Sequence, residues 1–203
     1  LGGDQYQITL TIYKDCFGAT VEPNFENLFF FPDGCTLPFS LNIPLVSAVE
    51  ISDLCPTELV NSSCSGGFIP GTQQLTYSAV VTLNPGCSWE VEWFQGDWNY
   101  FINMDNSMLP TAYFSAMIDP TLGCYSSVEV TSMQVPYSCL GDAYTHQITV
   151  DNPNGYTLQY SFVCPQTTGG VNAPMFSPCN EPIPGITIDS ATGEINFTTP
   201  LSY

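Results

Sequence analysis

The sequence predicts an all-β chain: two β-sandwich modules in tandem, stapled by disulfides. Three observations predict it. Apolar and polar residues alternate in short runs along most of the chain, the period of a half-buried strand. Pro, Gly and Asn turns separate the runs at about 8–12 residues, the spacing of a sandwich. Nine cysteines are spread with no CxxC and no histidine at ligand spacing, which favours disulfides in an oxidising compartment over zinc. Seventeen prolines argue against long helices.

The first run is YQITLTIY, 6–13. Tyr6, Ile8, Leu10 and Ile12 share one face, and Gln5, Gln7, Thr9 and Thr11 the other. FENLFFFP, 25–32, holds a continuous apolar run from Leu28 that fits a buried strand or a subunit interface better than a ligand site. LTYSAVVTL, 75–83, is rich in β-branched residues. SWEVEWF, 88–94, sets Trp89, Val91 and Trp93 against Glu90 and Glu92. The tryptophans are expected in the core and the glutamates in solvent. YFSAMID (113–119), SVEVTSM (127–133), YTHQITV (144–150), YTLQYSFV (156–163), GITID (185–189) and EINFT (194–198) complete the set. A module boundary is expected near 131–137, giving modules 1–132 and 133–203. The second is short for a sandwich and ends where another strand is due. The natural polypeptide is therefore expected to be longer, and no signal peptide is visible at the start.

The charge balance excludes partners. Nineteen acids face one base, Lys14, for a net charge of −18. Such a surface repels nucleic-acid phosphates and anionic lipid. No run of about 18 apolar residues is present to insert in a membrane. A chain with one Lys and no Arg is nearly invisible to trypsin-like proteases, which suits an extracellular life.

Cysteine spacing suggests pairings. Cys55 and Cys64 enclose PTELVNSS, and Cys164 and Cys179 bracket a Gly/Pro-rich loop. Cys16 with Cys35 and Cys87 with Cys124 are the next choices, leaving Cys139 unpaired or paired outside the chain.

PGITIDSATGEINF, 184–197, places Asp189 and Glu194 around a short turn. Gly193 supplies the positive φ of such a loop, and Asp189 can accept backbone N–H bonds across it. A turn is favoured over a cation site and over catalysis. Calcium needs six to eight oxygens, which requires Asp142, Asp151, Asn152 or Asn154 to fold beside Asp189. No other cofactor is expected. In WEVEWFQGDWNYF, 89–101, Trp98 and Tyr100 lie past Gly96 and are the candidates for an exposed, ligand-facing aromatic platform. Catalysis finds little support: His146 stands alone on a strand, with no GxSxG, HExxH or P-loop. The chain is not expected to be an enzyme.

Several blocks carry a resemblance. YSCLGDAY, DNPNGYTLQYSF and PGITIDSATGEINF resemble the Ig-like and cadherin-like modules of bacterial surface proteins. YQITLTIYKDCFG, ISDLCPTELVNSSCSGG and IPGTQQLTYSAVVTLNPGCSWEVEW are similar to the amino-terminal region of large Bacteroidota cell-surface proteins. Those belong with gliding-motility-associated proteins and adhesins exported by the type 9 system. The chain departs at QGDWN, 95–99, where the pattern has a Cys-Cys-Arg-Asn run, and at DNPNGY, where two acids of the turn are lost. The first removes two cysteines near Cys87, and the second weakens a carried-over calcium site. The resemblance implies a partner for Cys139 in a strand beyond Tyr203. It also implies an O-glycosylation acceptor at Ser190, within Asp189-Ser190-Ala191.

The expected function is therefore that of an extracellular adhesive or structural surface protein, secreted across the outer membrane. Its expected partners are other copies or neighbouring modules, surface glycans or a substratum. An apolar edge at 29–31, or an open edge at 194–203, is expected to accept a neighbouring strand. A carbohydrate-binding module is the alternative. A glycosidase using Glu90 and Glu92, about 7 Å apart by strand rise, ranks third.

Overall fold

The computed structural model describes residues 3–18, 23–95, 112–123, 125–132, 141–167, 169–172 and 185–198. Contacts divide the chain into two compact units, one of residues 1–93 and 115–124, the other of 94–114 and 125–203. The expected boundary at 132/133 falls at the edge of 133–140, outside the described residues.

Strands β1 (Gln5–Asp15), β2 (Phe25–Pro32), β3 (Phe39–Glu50), β4 (Thr72–Thr82), β5 (Trp89–Gln95) and β6 (Ala112–Ile118) form one sheet in the order β1-β4-β3-β2-β5-β6. The β1–β4, β4–β3, β3–β2 and β2–β5 pairings are antiparallel. Strand alternation sorts the side chains. Leu28 and Phe30 of β2, Leu75 and Tyr77 of β4, and Trp89, Val91 and Trp93 of β5 are buried in one cluster. Tyr6, Ile8, Leu10 and Ile12 of β1 pack against its margin, partly buried. The two tryptophans of β5 are in the core, as the alternation predicts. Glu92 is the exception: it is 9% exposed, not solvated.

A single sheet encloses this core because β3 changes partners halfway. Its first half, 39–44, pairs with β2, and its second half, 45–50, pairs with β4. A bulge lies between Leu45 and Ser47, and bulges bend and twist a strand. Pro44 sits at the changeover. Leu45 donates to Asn24 across the β2 side at 2.9 Å, so the neighbouring Pro44 nitrogen faces the β4 side, where pairing begins only at Leu45. Its missing N–H therefore removes no ladder bond. The sequence reading named no strand over 39–50.

Two disulfides fasten the ends of this sheet, and neither follows the expected pairing. Cys16 bonds Cys64, not Cys35, and Cys35 bonds Cys87. Cys55 is free and exposed, so the expected Cys55–Cys64 loop does not form. Cys87 is likewise not joined to Cys124. Register explains each bond. The β1–β4 ladder carries Cys16 beside Gly71, whose carbonyl accepts the Cys16 N–H at 2.9 Å. There the 55–71 loop closes on it. A Cβ at Gly71 would lie 2.8 Å from the Cys64 sulfur, so only glycine allows that approach. Pro32 faces Trp89 in the β2–β5 pair, which places Cys35 and Cys87 in adjoining turns, with Asp33 donating to Ser88 at 2.9 Å. Cys164 is also disulfide-bonded, while Cys124, Cys139 and Cys179 lie outside the described residues.

In the other unit, β8 (Ala143–Gln147), β12 (Thr187–Ile188) and β13 (Glu194–Thr198) make a three-stranded sheet in the order β12-β13-β8. Two ribbons accompany it: β7 (Glu129–Val130) with β9 (Val150–Asp151), and β10 (Gln166–Thr167) with β11 (Val171–Asn172). The run expected at 127–133 shrinks to β7, and that at 144–150 divides between β8 and β9. Residues 156–163 form no strand. Exposure still alternates there, with Leu158, Tyr160 and Phe162 half-buried, while Tyr160 donates to the Ser190 carbonyl at 2.9 Å. Alternation shows which side faces the protein, but a strand also needs a ladder. Among the described residues no helix is long and apolar enough to cross a membrane.

Candidate functional site

The hairpin from Gly185 to Thr198 holds most of the chemistry that the sequence singles out. Thr187 faces Asn196 and Ile188 faces Ile195. The reversal closes with Asp189 donating to Glu194 at 2.9 Å and Gly193 donating to Asp189 at 2.8 Å. Gly193 has φ 74°, and a Cβ there would lie 2.9 Å from the Tyr160 ring. Gly193→Ala is expected to cost about 1–3 kcal/mol, from left-handed strain plus the ring clash. Gly185→Ala, at φ 77° with open space around it, is expected to carry only the backbone part, about 1 kcal/mol. Thermal melts of the two variants check this, and equal losses would contradict the clash.

The two carboxylates do different things. Asp189 Oδ1 accepts the N–H of Ala191 at 2.9 Å and of Thr192 at 2.8 Å. Glu194 Oε1 accepts from Asn196 Nδ2 at 2.8 Å. The Thr192 amide, then the Ala191 amide, then the Thr192 hydroxyl hold the Asp189 carboxyl below its ordinary pKa. A depressed pKa in the folded chain gives stability that is present above the unfolded value, about 3.9. That stability is lost as pH falls through the lower folded value. The Ala191 and Thr192 amide resonances are expected to titrate with a midpoint below that of an unperturbed aspartate. A midpoint at or above it would contradict the turn assignment.

Asp142 is exposed ahead of β8, Asp151 faces Glu129 in the β7–β9 ribbon, and Asn154 Nδ2 donates to the Ser126 carbonyl. The Asn152 side chain clasps Tyr156, accepting its N–H at 3.2 Å and donating to its carbonyl at 2.6 Å. Asp151, Asn152 and Asn154 thus lie together in β9 and the turn after it, and Asp142 lies ahead of β8. Among the described residues no three His, Cys, Asp or Glu group as metal ligands. Ser190 is exposed at the hairpin tip. Trp98 and Tyr100 lie outside the described residues.

A shallow depression of about 240 Å³ opens beside the hairpin, lined by Tyr144, Thr145, Gly185, Thr187, Asn196 and Phe197 among others. Tyr144 and Phe197 face each other across β8–β13, their rings 5.1 Å apart and tilted by 44°. His146 lies nearly parallel to Tyr144 at 6.4 Å. Thr145 donates to Asn196 at 2.6 Å. The Tyr144, His146 and Phe197 rings share one face of the β8–β13 pair, and Thr145 and Asn196 the other; the ring face suits a flat, weakly polar ligand. Sequence reading missed this group because its members lie 51 to 53 positions apart, as Tyr144 and Thr145 stand from Asn196 and Phe197. Only the β8–β13 register joins them.

The strand-accepting edges expected from the sequence are corrected. β2, holding 29–31, lies between β3 and β5, and β13, holding 194–198, lies between β12 and β8. Both are interior strands, and 199–203 fall outside the described residues. In comparisons with family models, curated proteins and solved structures, nothing matches this chain.

Proposed function

We propose that the chain is part of an extracellular structural and adhesive surface protein, built of two Ig-like β modules and exported across the outer membrane. One observation carries the reading. Two disulfides, closing 48 and 52 residues, tie both ends of a curled sheet in a chain with a single basic residue. Long-range staples make a small β module resist unfolding where thiols oxidise, and the near-absence of Lys and Arg limits proteolysis. Such a module transmits force and presents a surface; it takes no cofactor. Its partners are other copies, neighbouring modules and surface glycans, with Ser190 as the exposed acceptor position for a glycan of its own.

Deleting the gene from the native cells tests this reading. The expected result is loss of attachment under flow, restored by the intact gene. Unchanged attachment, with the protein found only inside permeabilised cells, would overturn it.

The Tyr144–Phe197 depression favours a second reading, a carbohydrate-binding module. It expects measurable glycan affinity that falls at least about tenfold in Tyr144→Ala. No binding to any glycan tested would remove it.

A further inference from the structure

Strand β1 is an edge among the described residues, and its sequence carries few of the devices that protect edges. It runs eleven residues in unbroken register with β4. It contains no proline, no bulge and, from Gln5 to Tyr13, no charge. Natural edge strands are normally short, charged, kinked or covered.

The hydrogen-bond parity of the edge can be read. Leu83 donates to Asp4 at 3.0 Å and Cys16 to Gly71 at 2.9 Å, both continuing the β1–β4 register. Residues in an antiparallel ladder alternate between bonded and non-bonded pairs. Asp4, Cys16 and the even-numbered residues between them therefore direct their N–H and C=O to β4. Gln7, Thr9, Thr11 and Tyr13 direct theirs outward.

We propose that β1 pairs antiparallel with β1 of a second copy of this chain, about a two-fold axis at Thr9. In that register the outward groups of Gln7 meet those of Thr11 of the second copy, and Thr9 meets Thr9. On the core-side face Ile8 lies opposite Leu10 and Tyr6 opposite Ile12, which covers side chains that the isolated edge leaves only partly buried. The same register sets Asp4 opposite Lys14, twice. The one base of the chain thus meets an acid, and shifting the register by one pair in either direction loses that match. Charge complementarity selects a second copy as the occupant, since the strand is its own complement. The assignment deepens the surface-protein reading and rests on it for the choice of a second copy as partner.

Sedimentation of the full 203-residue chain across a concentration series tests it. A monomer–dimer equilibrium is expected. Thr9→Pro removes an outward N–H and no β4 bond, so the Cys16–Cys64 bond and melting temperature should persist while the dimer Kd rises at least about tenfold. Lys14→Asp is expected to weaken the dimer by about tenfold, and Asp4→Lys with Lys14→Asp to restore it. A chain monomeric at about 1 mM, a dimer indifferent to Thr9→Pro, or a charge swap without rescue would each overturn the proposal. The attachment experiment is read separately, so a failed register leaves the surface role standing.

Discussion

Cys35→Ala is expected to lower the stability of the sheet unit by about 4 kcal/mol. The bond to Cys87 closes 52 residues, and on the chain-entropy treatment a loop of that length constrains the unfolded state by about this amount. For a unit of this size the fall in melting temperature is about 15–30 °C. Cys35 is the half to change because it is exposed, whereas Cys87 is 2% exposed. The remaining Cys87 thiol behaves as a small buried apolar group, so the loss reports the constraint and not a new buried polar atom. The Cys16–Cys64 loop of 48 residues overlaps this one, so breaking both bonds should cost less than twice the single loss. Calorimetry of the variant, and of the native chain after reduction, measures both. A loss below about 1 kcal/mol would mean that the sheet does not depend on its staples.

Phe30→Ala is expected to cost about 3–5 kcal/mol, the range for removing a fully buried aromatic and leaving a cavity. Phe30 is 0% exposed, stacks on Phe39 at 4.7 Å and faces Val91 across the next strand. Its neighbour Phe31 points to the other face and is 41% exposed. Phe31→Ala should therefore change stability by no more than about 1 kcal/mol. The pair forms a phase test of β2. Denaturant melts giving similar losses would mean that the alternation of the strand is misassigned.

Local alternation made β1, β4, β5, β6 and the 185–198 hairpin legible, because their inward residues recur every second position. The Asp189 turn was legible for the same local reason: a side chain, two amides and a glycine within five positions. What stayed hidden depends on register. β3 carries a proline that only a change of partner explains, and Glu92 looks solvated until Phe29 is placed beside it. Disulfide choice follows the same rule. Loop length pointed to Cys55–Cys64, but the β1–β4 ladder sets Cys16 beside the loop that carries Cys64. At 156–163 the alternation is real, yet the segment finds no ladder among the described residues, so period alone overstated the strand.

The measurement that bears most directly on the account is a disulfide map of the protein sheared from intact native cells. The sample is alkylated without reduction and digested with pepsin, since one lysine leaves trypsin almost nothing to cut. The account expects the protein in the sheared fraction, with linked peptides joining Cys16 to Cys64 and Cys35 to Cys87. Alkylated thiols at those four positions, or a protein confined to the cell interior, would contradict an oxidised, extracellular, stapled surface module.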